Sequence, residues 1–198
     1  NTAIRFPAAD TITAETSGSE RLRIDGSGRV MIGNTVASSF TGNSSDNLVV
    51  GSGTGGEGIT VYSATDNQGS ITFADGTSGN AAYRGAVEYN HTADRLAFRT
   101  AGTGNRLIID SSGRLLSGTT TEGHADADDL TLQAPSGYTG ITLRSGTTTG
   151  GAIYFSDATS GSGEVDGQIV YSQNSRTMTF ATAGVTKLTL KSDGLLVP

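Results

Sequence analysis

The sequence predicts an all-β chain, and more narrowly an elongated, intertwined homotrimeric β-fibre built from repeats of about 82 residues, with short antiparallel strands in small sandwich-like units and closing β-hairpins. Three observations lead there. Gly, Thr and Ser number 29, 29 and 22, so 80 of the 198 residues are small turn or β-friendly types, while Leu, Ile, Val and Phe total only 40. That is the level at which a compact core starts to fail. Apolar residues stand in pairs two apart, the period of a strand with one buried face, and no window of 11 or more residues carries helical periodicity. Finally, those pairs recur at a fixed offset.

The repeat organises the elements. ITVYSATDNQGSITFADGTSG (59–79) lies over ITLRSGTTTGGAIYFSDATSG (141–161) without a gap, with 11 identities in 21 positions and an offset of 82. The offset sets Asp46 on Asp128, Gly85 on Gly167, Tyr89 on Tyr171, Phe98 on Phe180 and Gly102 on Gly184. It predicts strands at Ile59/Val61, Ile71/Phe73, Val87/Tyr89 and Leu96/Phe98, and again at Ile141/Leu143, Ile153/Phe155, Ile169/Tyr171 and Met178/Phe180. Asp66-Asn67 and Asp75-Gly76 supply turns between them. Each copy closes on a related segment, RLIIDSSGRL (106–115) and KLTLKSDGLL (187–196), with a third version, RLRIDGSGRV, at 21–30. In the 106–115 version Leu107 and Ile109 precede Asp110-Ser111-Ser112-Gly113 and Leu115 follows it, a hairpin whose Gly takes positive φ.

The expected organisation is a remnant of a first repeat at 1–34, a linker at 35–45, a full repeat at 46–118, a linker at 119–127 and a full repeat at 128–198. The chain opens on Asn1 without a charged-then-apolar leader, as expected of a fragment or processed product. With two inward side chains per strand, a unit of this size has roughly a dozen core residues, thin for an ordinary domain. Chains wound about a common axis would bury the missing faces and pair open strand edges. Closed symmetry makes such an assembly cyclic, and three chains suit a thin fibre. The expected interchain core is Leu22, Ile24 and Val30, Leu107, Ile109 and Leu115, and Leu188, Leu190 and Leu196.

Composition excludes several functions. No Cys or Trp is present, so neither disulfides nor a Cys-ligated zinc makes up the core deficit. A net charge of −6 and 13 scattered basic residues make nucleic acid and anionic membrane poor partners. No stretch reaches the length of a membrane-spanning helix.

At the closing segment the sequence resembles a known family. ERLRIDGSGRVMIGNT (20–35) is similar to the RLRIDSSGRVGIGTT repeat of tail-fibre and appendage proteins of tailed bacteriophages, especially those of marine and cyanobacterial hosts. NLVVGSGTGGEGITVYSATDNQGSITFADGTSG (47–79) and YRGAVEYNHTADRLAFRTAG (83–102) resemble the segments that precede it there. With their second copies they cover nearly the whole chain. Met31 departs from the family's usual Gly, and Leu195 stands where Arg29 and Arg114 stand in the other copies. The resemblance implies an extracellular, virion-borne homotrimeric fibre that takes part in host attachment. Its partners would be its own copies, other virion tail proteins and a host surface glycan or protein receptor. A polysaccharide-degrading tailspike segment, a capsid-mounted fibre and a cellular extracellular adhesin built from the same repeat are the alternatives.

No cofactor and no catalytic residue is expected. Gly51, Gly53 and Gly56 fit GxGxxG, but a dinucleotide site needs a helix next and the pattern offers a strand, so a turn is the better reading. His124, Asp126, Asp128 and Asp129 gather possible ligands for a divalent cation, against the plainer reading of a polar linker. Asp75 and Asp157 are repeated acids of the kind a polysaccharide-degrading tailspike would need, but each precedes small turn residues, which suits Asx turns. Glu88 has Val170 as its counterpart. Tyr62, Tyr83, Tyr138 and Tyr154 lie off the paired pattern and suit carbohydrate stacking or, more simply, packing against a neighbouring chain.

Overall fold

The computed structural model of the chain describes residues 1–36, 40 and 45–197, so most of the expected linker at 35–45 lies outside the described residues. The described chain is all-β, with three mostly antiparallel sheets and two short 3-10 turns, Gly79–Tyr83 and Gly161–Val165. It divides into two units, Asn1–Thr131 and Leu132–Pro198.

The first sheet runs in order through β1 (Ala3–Arg5), β2 (Ile12–Thr16), β3 (Ser19–Ile24), β4 (Val30–Ile32) and β5 (Leu48–Val50), antiparallel until β5 joins β4 in parallel. The second is ordered β11 (Leu130–Leu132), β10 (Leu115–Ser117), β9 (Asn105–Ile109), β8 (Arg95–Arg99), β7 (Gly85–Asn90) and β6 (Gln68–Phe73). The third is a meander of β12 (Gly150–Phe155), β13 (Gly167–Ser172), β14 (Thr177–Thr182), β15 (Val185–Leu190) and β16 (Leu196–Val197). The starts of β6 and β12 differ by the repeat offset read from the sequence, as do those of β7 and β13 and of the two 3-10 turns. β5 and β11 open the segments 46–118 and 128–198, yet each is hydrogen-bonded into the sheet of the hairpin before it.

Period-two pairs become strands because alternate side chains leave opposite faces of the pleat. Thus Ile71/Phe73, Val87/Tyr89 and Leu96/Phe98 lie in β6, β7 and β8, and Ile153/Phe155, Ile169/Tyr171 and Met178/Phe180 in β12, β13 and β14. Tight turns join them. Ser17-Gly18 and Ala183-Gly184 form two-residue loops with both φ positive, the geometry whose twist matches the flanking strands. A register shift follows Ala14, Phe98 and Phe180 in the second, eighth and fourteenth strands.

Two expected strands are corrected. Ile59/Val61 and Ile141/Leu143 belong to no strand, because neither segment has a backbone partner among the described residues. The buried core is as thin as the composition implies. Ala97, Ile108 and Leu116 form its one apolar cluster among the described residues, and Met31 and Thr13 are buried in the first sheet.

Candidate interaction surface

The registers align apolar side chains into rows on one face of each sheet. In the first sheet Ile12, Ile24, Val30 and Leu48 form one row, and Ala14, Leu22, Ile32 and Val50 the next. In the second, Ile71, Val87, Phe98 and Leu107 stand in line. Beside them run Tyr89, Leu96, Ile109 and Leu115. In the third, Ile153, Ile169, Phe180 and Leu188 repeat the arrangement, with Tyr171, Met178, Leu190 and Leu196 alongside. All nine residues expected in the interchain core lie in these rows. None of them is buried within the single chain: Leu22, Ile24, Val30, Leu107, Ile109 and Leu188 are half-buried, while Leu115, Leu190 and Leu196 are exposed.

The opposite faces hold the buried residues instead. Ala97, Ile108 and Leu116 are cross-strand neighbours there, as are Thr13 and Met31 by way of Arg23. The pairing pattern alone passes over Ile108 and Leu116. The signal lies in the unbroken runs Leu107-Ile108-Ile109, Leu115-Leu116 and Val30-Met31-Ile32, which present apolar side chains on both faces.

A shallow groove recurs on the apolar face. One of about 300 Å³ is lined by Ile59, Val61, Ile71, Val87, Tyr89 and Leu96. A second, of about 170 Å³, is lined by Leu143, Ile153, Ile169, Tyr171 and Met178, each the repeat counterpart of a member of the first. Gly69 lets the 61–63 segment lie close over the sheet, since a Cβ there would stand 3.3 Å from Val61 Cγ1 and 3.4 Å from Ser63 Oγ. His91 Nε2 and Ser63 Oγ share a hydrogen bond of 3.0 Å in the same place.

The closing hairpins carry a clasp. Asp25 Oδ1 accepts the backbone N–H groups of Ser27 and Arg29, its Oδ2 accepts from Arg29 Nε at 2.8 Å, and Arg29 Nη1 donates to Asp46 at 3.0 Å. Asp110 does the same with Ser112 and Arg114, and Arg114 Nη1 donates to Asp128 at 2.8 Å. Val30 N–H to Asn47 O and Leu115 N–H to Asp129 O, both 2.8 Å, stitch the hairpin to β5 and β11 beside the ion pairs. Each arginine therefore ties a closing hairpin to the strand that opens the next segment. The third hairpin has Lys191 and Leu195 at the corresponding positions, and its turn relies on Leu195 N–H to Asp193 Oδ1 at 3.0 Å.

The Asp25 carboxyl is held below its ordinary range by the Arg29 hydrogen bond. For Asp110, burial pushes upward, but the backbone N–H and guanidinium of Arg114 outweigh it and the net shift is downward. A carboxylate that titrates lower folded than unfolded adds stability above the ordinary aspartate pKa of about 4, and that contribution is lost as pH falls through the folded value. The thermal midpoint should accordingly hold from pH 7 to about 5 and drop on further acidification. Asp110→Asn should lower the midpoint at pH 7 and flatten the acid drop. An acid slope identical to wild type would show that the clasp does not contribute.

The remaining candidates separate. Asp128 is held by Arg114 at 2.8 Å. His124 Nδ1 accepts from the Asp126 N–H at 3.2 Å in an exposed turn. No group of three or more His, Cys, Asp or Glu side chains suited to a metal gathers among the described residues of the single chain. Gly51 to Gly56 is a turn, closed by Glu57, whose carboxylate accepts the Ser52 N–H at 2.8 Å and the Ser52 hydroxyl at 2.6 Å. The next regular element is β6, so no helix N-terminus is there to meet a phosphate. Asp75 accepts from Arg84 Nε at 3.0 Å on the surface. Tyr62 and Tyr138 are fully exposed, and Tyr83 and Tyr154 partly so, with the Tyr83 hydroxyl donating to Asn80 Oδ1 at 3.2 Å. None stacks on another ring: the one aromatic pair among the described residues is Tyr89 edge-on to His91 at 5.1 Å. The Tyr89 hydroxyl donates to Asp94, which raises its pKa.

No helix among the described residues is long and apolar enough to cross a membrane. No protein-family model and no curated protein sequence matches the chain.

Proposed function

We propose that this chain is a non-catalytic, structural and adhesive shaft segment of a bacteriophage tail fibre, assembled as a homotrimer outside the cell and taking part in host attachment. The observation that carries the reading is the unburied apolar face on each sheet. Rows of Leu, Ile, Val and Phe at half exposure form the kind of patch that marks an interface, and three chains turning these faces to a common axis would cover them. The resemblance of 20–35 to the phage appendage repeat supplies the biological setting, and repetition along a trimer multiplies weak receptor contacts.

Light scattering on the purified chain should return three times the mass of one 20.1 kDa chain. A stable, folded monomer overturns the assembly. Antibodies raised against the chain should label the tail of virions that carry it, and label confined to a host-cell surface overturns the assignment.

A further inference from the structure

Two segments have the alternation of strands and lack a strand's partners. In GITVY (58–62) and its repeat counterpart GITL (140–143), Ile59 and Val61, and Ile141 and Leu143, point to a half-buried strand. All four side chains are exposed, and no backbone hydrogen bond is made by either segment among the described residues. Exposed backbone groups bond to water, but once the apolar side chains beside them are covered the same amides and carbonyls need protein partners, which a neighbouring strand supplies.

Two sheet edges have the complementary deficit. β6 and β12 each form one edge of the second and third sheets, the other edges being the shorter β11 and β16. Their sequences, QGSITF and GGAIYF, contain no charge and no proline, the devices by which natural edge strands resist pairing with other chains. Ile71 and Phe73 on β6, and Ile153 and Phe155 on β12, are all roughly half exposed. By contrast the outer strand β1 carries Arg5, paired with Glu15 at 2.9 Å.

We propose that residues 58–62 of one copy add as a strand to the open edge of β6 in a second copy, and that residues 140–143 add to β12 in the same way. The occupant is a second copy of this chain. Donor segments and acceptor edges recur at the same repeat offset, so every copy of the chain carries a donor for each kind of edge, whereas an unrelated peptide would have to supply both. Donor and acceptor are both uncharged, so pairing brings no like charges together. Main-chain bonds would supply affinity, and Ile59 and Val61 would extend the row begun by Ile71 and Phe73. The proposal rests on the homomeric-fibre reading and specifies which backbone joins the chains.

The chain has no cysteine, so introduced thiols report without background. Thr60→Cys is made in one preparation, and Thr72→Cys or Ser70→Cys in another. These positions alternate with the apolar residues, so they share the opposite face of the augmented sheet. The preparations are mixed, unfolded, refolded together and oxidised mildly. One of the two mixtures should give disulfide-linked heterodimer in roughly tenfold excess over any single variant alone, as proximity raises effective concentration. Assembled protein with no heterodimer in either mixture overturns strand addition and leaves the fibre reading intact. Protein that stays monomeric by light scattering overturns both.

Discussion

Leu107→Lys is expected to convert the assembled protein to single chains. Leu107 lies in the row Ile71, Val87, Phe98 and Leu107, and its counterparts Leu22 and Leu188 occupy the same place in the other sheets. At half exposure in the isolated chain, a lysine here reaches water with its ammonium and lays its stem over the sheet, so far-UV circular dichroism should be unchanged. In the proposed trimer the same position faces two neighbours, and threefold symmetry brings three unpaired ammonium groups together. Each buried, unpaired charge costs several kcal/mol, and about 1.4 kcal/mol is a factor of ten in an equilibrium constant, so association should weaken by far more than a hundredfold. Ser111→Lys, in the exposed hairpin turn, serves as the control and should leave the mass unaltered. A Leu107→Lys chain that sediments like wild type would remove this face from the interface.

Glu88→Val should destabilise the chain, and adding Arg99→Ala should restore most of the loss. Glu88 is 6% exposed, and its Oε2 accepts from Arg99 Nη2 at 2.7 Å. Removing it strands a guanidinium whose Nε already lacks a partner among the described residues. Breaking a buried pair costs about 3–5 kcal/mol; with Arg99 still 23% accessible, about 1–3 kcal/mol is the fitting expectation. In a chain of this size that corresponds to a fall of roughly 2–10 °C in Tm. The compensation is visible in the chain itself. Val170 and Ala181 are the repeat counterparts of Glu88 and Arg99, and Ala181 is buried. One copy thus holds an ion pair where the next holds a small apolar pair, as expected if either solution satisfies the site provided both members change together. Thermal melts of the two single variants and the double variant test this through the coupling term. Losses that simply add would dissolve the coupling.

Much of this architecture is legible in the residues. Pairs such as Val87/Tyr89 and Met178/Phe180 mark strands because the period of two is a property of the chain itself, independent of neighbours. Asp110-Ser111-Ser112-Gly113 marks a hairpin because the carboxylate caps nearby N–H groups and the glycine takes φ of 82°. Other features depend on partners remote in sequence and are not written locally. Asp128 reads as one acid in a polar linker until Arg114, well before it in the chain, is placed against it. The parallel docking of β5 on β4 has no local signature, since Leu48-Val49-Val50 would suit any strand position. Ile59/Val61 and Ile141/Leu143 have the pattern of strands and no backbone partner among the described residues, so pattern and hydrogen bonding part company there.

By itself the sequence determined the all-β character, the turn positions, the recurring spacing of the apolar pairs and a core too small for the chain's length. These follow from propensity, periodicity and composition, each local or additive. Only the tertiary structure decided which face of each sheet is covered, that Ile108 and Leu116 are buried while Leu107, Ile109 and Leu115 are not, and that Arg29 and Arg114 bind a hairpin to the following strand. The physical reason is that alternation shows a strand to have two unlike faces but leaves open which neighbour covers each. That choice is made by contacts between distant segments and, in the proposed trimer, by neighbouring chains.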